Sequence, residues 1–402
     1  MNRREVLKLG VYGGGLWLSG LGSRIAFAKD QARERRLVVI YLYGGADPLS
    51  LFPPIADDLY YNQRSTLAVK KTEARPLDQL FALHSALNPL YPLWQNGEMA
   101  VIHQFGLPQP DRSHANATNL METGIMPGQA FPLDGFLSRA IVERFGSENV
   151  PLRNIAVQVS FPTILSGAAG AMAFSSIDEL RGTARSNSEL LRSIELFEKS
   201  TDPTFRQQGR VVRAAIEKAR SAFPTSSGPR ATSDVFQFQL HEIARLIQAD
   251  IGVRLAFTST SGWDTHVDQQ GDLLPLMTSL GKGLADLRDA LKKTRHWDDT
   301  MVLVVTEFGR TVRQNGSGGT DHGNGSAAIL LGGALGQKIG GKVVHQWKPM
   351  TVQNLSEGRD LVVCHDYRNV FGELLISQFG LTPEQLKRVF PLHDYKKIGL
   401  LA

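Results

Sequence analysis

The sequence predicts an α/β fold, with a mostly parallel central sheet flanked by helices. Three observations carry that expectation. Short β-branched runs recur along the chain and end in glycine, polar or acidic residues. Each run is almost continuously apolar, which suits strands covered on both faces. Between the runs lie stretches whose apolar residues are spaced by three and four, so strands alternate with helices. The strand runs are 36–47, 99–106, 154–160, 253–260, 301–309 and 327–333. The helical stretches are 133–146, which stops at a glycine; 233–252, which opens on Ser-Asp and closes on Gly252; 273–293; and 366–380. With 402 residues, 42% hydrophobic and 21% charged, the chain can bury a large core.

Residues 1–28 read as an export signal and not as part of the fold. Arg3-Arg4 precede a short, glycine-rich apolar stretch, and Ala-Phe-Ala at 26–28 fits a small-x-small cleavage site. A membrane anchor is the alternative, but the stretch is short for a bilayer. The expected partner is the bacterial twin-arginine translocase, the expected destination periplasmic or secreted, with no membrane span after cleavage. Cleavage would leave 40 basic against 38 acidic residues, a net charge of +2. The basicity of the whole chain is then partly a targeting feature and makes no case for nucleic-acid binding. The lone Cys364 follows an apolar run; it excludes an internal disulfide and a thiolate metal site. Residues 36–400 read as one α/β domain. The stretch at about 180–230, rich in Arg, Ser, Glu and Gln, reads as a helical insertion, either a lid or a solvated hairpin.

In open α/β sheets, ligands gather beyond the carboxyl ends of strands. Asp47 follows the first run, Asp264 and His266 the fourth, and Glu307 the fifth; Asp321-His322 precede the sixth. Each alone is a common cap or turn residue. Together they form a mixed carboxylate and imidazole set that suits zinc, manganese or iron. Ser113 and His114 stand at an expected helix start, where free N–H groups favour an anion; capping by Asp111 or Ser113 is the plainer alternative.

Five ordered segments, RLVVIYLYGGADPLSLFPP, PDRSHANATNLMETG, GWDTH, VVTEFGRT and GGTDHGNGSAAILLGG, resemble domain-of-unknown-function family 1501. That family is similar in fold to the alkaline phosphatase and sulfatase superfamily. The resemblance implies an alkaline-phosphatase-like core that hydrolyses a phosphate or sulfate ester, a small anionic ester or glycan, with one or two divalent cations. Asp47 and Glu307 would hold one cation beside a Ser113 nucleophile. Asp264, His266 and His322 would hold the other, with Asp321 orienting His322. Arg112, His114, Arg310 and Asp321 would contact substrate. Two departures stand out. Phe308 replaces an imidazole after Glu307, and PDRSH is not a sulfatase maturation motif. The rival reading is a non-catalytic exported binding or assembly protein with a degenerate metal site.

Overall fold

Alternate residues of the central strand Arg36–Leu42 (β1) feed two separate cores. Val38, Ile40 and Leu42 enter one, and Leu37, Val39 and Tyr41 the other. Period-two alternation places successive side chains on opposite faces, so a strand that is apolar throughout needs a layer on each side. The computed structural model describes residues 34–401, apart from 131, 147–149, 168–170, 182–193, 197, 202 and 226–231. The export signal read in residues 1–28 lies outside them.

The other strands are Ala74–Pro76 (β2), Ala82–His84 (β3), Met99–Gly106 (β4), Asn154–Val157 (β5), Met172–Phe174 (β6), Leu255–Thr260 (β7), Thr300–Val305 (β8), Ser326–Gly332 (β9), Lys342–Val344 (β10) and His365–Asp366 (β11). β2 and β3 form a separate hairpin. The main sheet runs β10-β4-β9-β8-β1-β7-β5-β6, with β11 also on β4. Every pairing in it is parallel except the two made by β9, which is antiparallel to β8 and to β4. The sheet is therefore mixed but mostly parallel, with helices on both faces.

The longer helices are His114–Thr123 (α1), Phe136–Phe145 (α2), Pro203–Ala222 (α3), Val235–Gln248 (α4), Gln269–Lys293 (α5), Tyr367–Phe379 (α6) and Pro383–Val389 (α7). α3, α4 and α5 bury residues such as Ala215, Leu240 and Leu284 in the core that receives Val38. α1, α2, α6 and α7 bury Leu120, Leu137, Leu374 and Leu386 on the opposite face. α4 and α5 approach closely at Gly283, where a Cβ would press against Leu240. Within the stretch 180–230, the described residues include α3, whose Ala215, Ile216 and Ala219 are buried. No helix among the described residues is long and apolar enough to cross a membrane.

One direction departs from the simplest reading of the runs. A parallel crossover needs a dozen or more residues, usually a helix. Residues 306–325 contain no helix, so β9 returns antiparallel to β8. Its N-terminal end thus lies at the same sheet edge as the carboxyl ends of β1, β4, β7 and β8. This brings the loops after those four strands together with residues 319–325.

Candidate metal centre

The loops meet through backbone packing that glycine permits. Gly44 has φ +123°, and a Cβ there would lie 2.5 Å from the Asp264 nitrogen; Gly45 has φ +71° and faces the Phe308 ring. The loop after β1 therefore lies directly against the GWD segment and the loop after β8. Arg310, with no exposed surface, ties these loops from inside. Its Nε donates to the Gly45 carbonyl at 2.7 Å, Nη1 to Thr320 O at 3.2 Å, and Nη2 to Trp263 O at 3.0 Å, to Gly44 O and to Asp264 Oδ1 at 2.6 Å.

Around Asp264 Oδ1, three imidazole nitrogens converge. His266 Nε2 lies 3.0 Å away, His322 Nε2 3.1 Å and His114 Nε2 3.3 Å. The Nε2 atoms of His266 and His322 are 2.9 Å apart. One ligand atom each from His114, Asp264 and His322 falls within 4.8 Å of the other two.

The opposite nitrogen of each ring fixes its tautomer. His114 Nδ1 lies 2.7 Å from Glu307 Oε1, His266 Nδ1 3.2 Å from Asp321 Oδ1, and His322 Nδ1 2.7 Å from the Arg112 carbonyl. A carboxylate or carbonyl oxygen only accepts, so a neutral ring that donates through Nδ1 leaves an Nε2 lone pair that a cation at the cluster could take. His114 Nε2 is buried and makes no directional hydrogen bond, although Asp264 Oδ1 is near.

These atoms fit a divalent cation. Bonds of roughly 2.0–2.1 Å set tetrahedral ligand atoms about 3.3 Å apart; His114, Asp264 and His322 lie close enough together for one ion, with His266 Nε2 beside them, 2.9 Å from His322 Nε2. Imidazole N–H groups bound to carboxylate or carbonyl oxygen are the usual outer support of metal-binding histidines. Burial pushes the Asp264 carboxyl up, but the Arg310 hydrogen bond and charge are the main causes that hold it down to about 2. Asp264 is therefore an anion at any working pH. For His114, the Glu307 hydrogen bond raises the imidazole above its usual value against the effect of burial.

Other candidate residues lie elsewhere or act differently. Asp47 is fully buried, and its hydrogen bonds go to residues outside the cluster. It caps the turn Pro48–Leu51 and is paired with the equally buried Arg64; Ser50 Oγ (2.5 Å) and Gln269 Nε2 (2.8 Å) also donate to it. Burial raises its carboxyl, but the Arg64 charge and hydrogen bond leave it lowered overall. Both oxygens of Asp47 are thus engaged by Arg64, Ser50 and Gln269. Glu307 reaches the site only through His114, and its Oε1 also accepts from Gly44 N at 2.8 Å. Ser113 is exposed; its hydroxyl caps α1 by accepting from Asn116 N at 3.5 Å. The next residue, His114, turns inward instead. The Arg112 guanidinium is bound to Asp360 and Glu357, so only its carbonyl serves the cluster. Arg310 is an internal tie, with no free face for a substrate. Asp321 orients His266, not His322. Thus, among the described residues, Asp264 gathers His114, His266 and His322 around one oxygen, while Asp47 and Glu307 make their contacts outside it.

A cleft of about 670 Å³ adjoins it, lined by Tyr43, His114, Thr118, Glu122, Asp264 and Glu307 among others. Tyr43 donates to Glu122 Oε1 at 2.6 Å. Burial raises the Glu122 carboxyl, more than the Tyr43 and Ile164 hydrogen bonds lower it. Neither residue carries a sequence signal; the topology alone brings them to the cleft.

Fold and site together define a three-layer α/β protein with a histidine and aspartate cluster at its strand ends. The chain belongs to the family described as "Protein of unknown function (DUF1501)", whose model matches residues 106–390. No curated protein sequence matches it. Among solved structures, it is similar to the PsFucS1 sulfatase from Pseudoalteromonas sp., with 11% identity, 94% of this chain and 75% of that one covered, and a TM-score of 0.40. It is also similar to alkaline phosphatase from the Antarctic bacterium TAB5, with 12% identity, coverage of 76% and 94%, and a TM-score of 0.34. A third is the lipoteichoic acid synthase LtaP from Listeria monocytogenes, with 11% identity, coverage of 83% and 75%, and a TM-score of 0.33.

Proposed function

We propose that the protein is an exported, metal-dependent hydrolase of phosphate or sulfate esters that works with a single divalent cation. Asp264, His114, His266 and His322 would hold that cation, and the ester would occupy the adjoining cleft. The observation that carries this reading is the convergence of three Nε2 atoms on one carboxylate oxygen, each ring anchored at Nδ1 by an oxygen. A cation bound there would polarise an ester oxygen and lower the pKa of a nucleophile. Glu307, Asp321 and the Arg112 carbonyl keep the imidazoles in their ligating tautomer. Arg310 keeps Asp264 ionised and fixes its loop.

A second reading has a specific basis. Four protein donors suffice to close a tetrahedral shell, as in structural zinc sites, whereas catalytic sites keep a position open. Such closure favours the non-catalytic binding or assembly role. Metal content of the purified protein, followed by turnover of a phosphate- and sulfate-ester panel, tests both. One equivalent of zinc, manganese or iron with turnover supports the hydrolase. One equivalent with no turnover on any ester supports the closed site. No metal after reconstitution refutes the metal centre.

A further inference from the structure

We propose that Gln269 is the positioning residue of this centre. It is a buried amide clamp that fixes the loop carrying Asp264 and His266 against the loop carrying Asp321 and His322. The inference rests on the reading that these residues hold a cation. Gln269 opens α5 and is 1% exposed. Its Oε1 accepts from the Thr265 hydroxyl at 3.0 Å and the Thr320 hydroxyl at 2.6 Å. Its Nε2 donates to Asp47 Oδ2 at 2.8 Å and Ser50 Oγ at 3.1 Å. An amide has two donors and two acceptor lone pairs, and all four are used.

The placement of these partners gives the clamp its purpose. Thr265 stands between Asp264 and His266, and Thr320 directly precedes Asp321 and His322. Thr320 N also donates to the Thr265 carbonyl at 3.1 Å. The amide orientation is fixed: Ser50 donates to Asp47 and so accepts from Gln269, and a reversed amide would set its oxygen against the Asp47 carboxylate. Asp47 is held in turn by Arg64. The buried series Arg64, Asp47, Gln269, then Thr265 and Thr320, ends on the two loops that supply three of the four donors. A buried amide whose hydrogen bonds are all made resists displacement, because any shift leaves a polar group dry.

The test is Zn²⁺ and Co²⁺ affinity of the purified protein, by competition against a chromophoric chelator, with the visible Co²⁺ spectrum as a reporter of ligand geometry. Thr265→Val and Thr320→Val keep side-chain shape and remove one arm each. Each is expected to weaken binding by about 10–100-fold, the usual effect of losing an outer support, and to alter the Co²⁺ spectrum. Thr265→Ser and Thr320→Ser keep the hydroxyl and should retain wild-type affinity and spectrum. The double Val variant should lose less than the two single losses multiplied, since one missing arm already opens the clamp. Gln269→Leu should show the full loss; if it does not fold, the threonine series still decides. Val variants that bind like wild type would overturn the proposal, as would equal losses in the Val and Ser variants. A wild-type protein that binds neither metal would remove the centre itself, and that result is seen without any variant.

Discussion

Arg64→Met is expected to destabilise the fold by about 3–5 kcal/mol, the usual cost of removing one partner of a buried ion pair. Arg64 and Asp47 both have side chains with no exposed surface. The substitution leaves the carboxylate with Ser50, Gln269 and Leu49 N as neutral donors. It also strips hydrogen bonds of 2.9 Å from the Val312 and Thr311 carbonyls. Each carbonyl left dry costs about 1–3 kcal/mol, but relaxation and the surviving donors keep the total from being a simple sum. The effect has a pH signature. With Arg64 present, the Asp47 carboxyl is lowered, so its contribution holds above the unfolded value of about 3.9 and fades as pH falls through the folded value. Without the guanidinium, burial dominates and raises the carboxyl, so the penalty is complete at neutral pH and shrinks in acid. Urea unfolding of both proteins at pH 7 and at about pH 4.5 should therefore show a gap that narrows at the lower pH. Metal stoichiometry should be unchanged. A cost below about 1 kcal/mol, or a gap independent of pH, would refute the argument from burial.

Asp264→Asn should weaken metal affinity by more than about 100-fold, beyond the loss of an outer support, while folding persists because Arg310 keeps its backbone carbonyl acceptors; wild-type affinity in a chelator competition would contradict the centre. Ser113→Ala should cost about 0.5 kcal/mol, the low end for a lost N-cap, because its bond to Asn116 N is long at 3.5 Å. It should spare any turnover found, and a drop of several orders of magnitude with metal retained would restore Ser113 as the nucleophile. Gly319→Ala would drive a Cβ into the His266 carbonyl group, so weaker metal binding and a lower Tm are expected; a variant crystal structure with both loops unmoved would rule out that clash.

The parts of the fold legible in the sequence are those with a long pattern. β1, β4 and β8 are buried throughout and read as continuous apolar runs. β6, β10 and β11 have two or three residues, too few to show a period. Candidate residues were legible by type and by position at strand ends, but their partners were not. Asp47 has the position of a ligand, yet Arg64 lies 17 residues further on and only tertiary packing joins them. Ser113 and His114 differ by one position at a helix start, and the turn of the chain decides which points inward. The hydroxyl is used up as a cap, and the first helical residue enters the cluster. Gln269 looks like any amide in the first turn of a helix; its role exists only where two loops close on it.

Phe308 changes meaning once the cluster is seen. Its place after Glu307 suggested a missing imidazole and so a weakened site. In the fold its ring lies 4.8 Å from the His114 ring and 4.9 Å from that of His322, centroid to centroid, and is 2% exposed. Glu307 still has an imidazole partner, but His114 supplies it from the start of α1. An aromatic wall there packs against two imidazoles and limits their rotation, while both rings and Asp264 keep part of their surface open to the cleft side. A second imidazole in that position would add a donor beside a set that already numbers four. The substitution therefore fits the proposed single centre, in which the helix start would provide a metal donor where the resemblance implies a nucleophile.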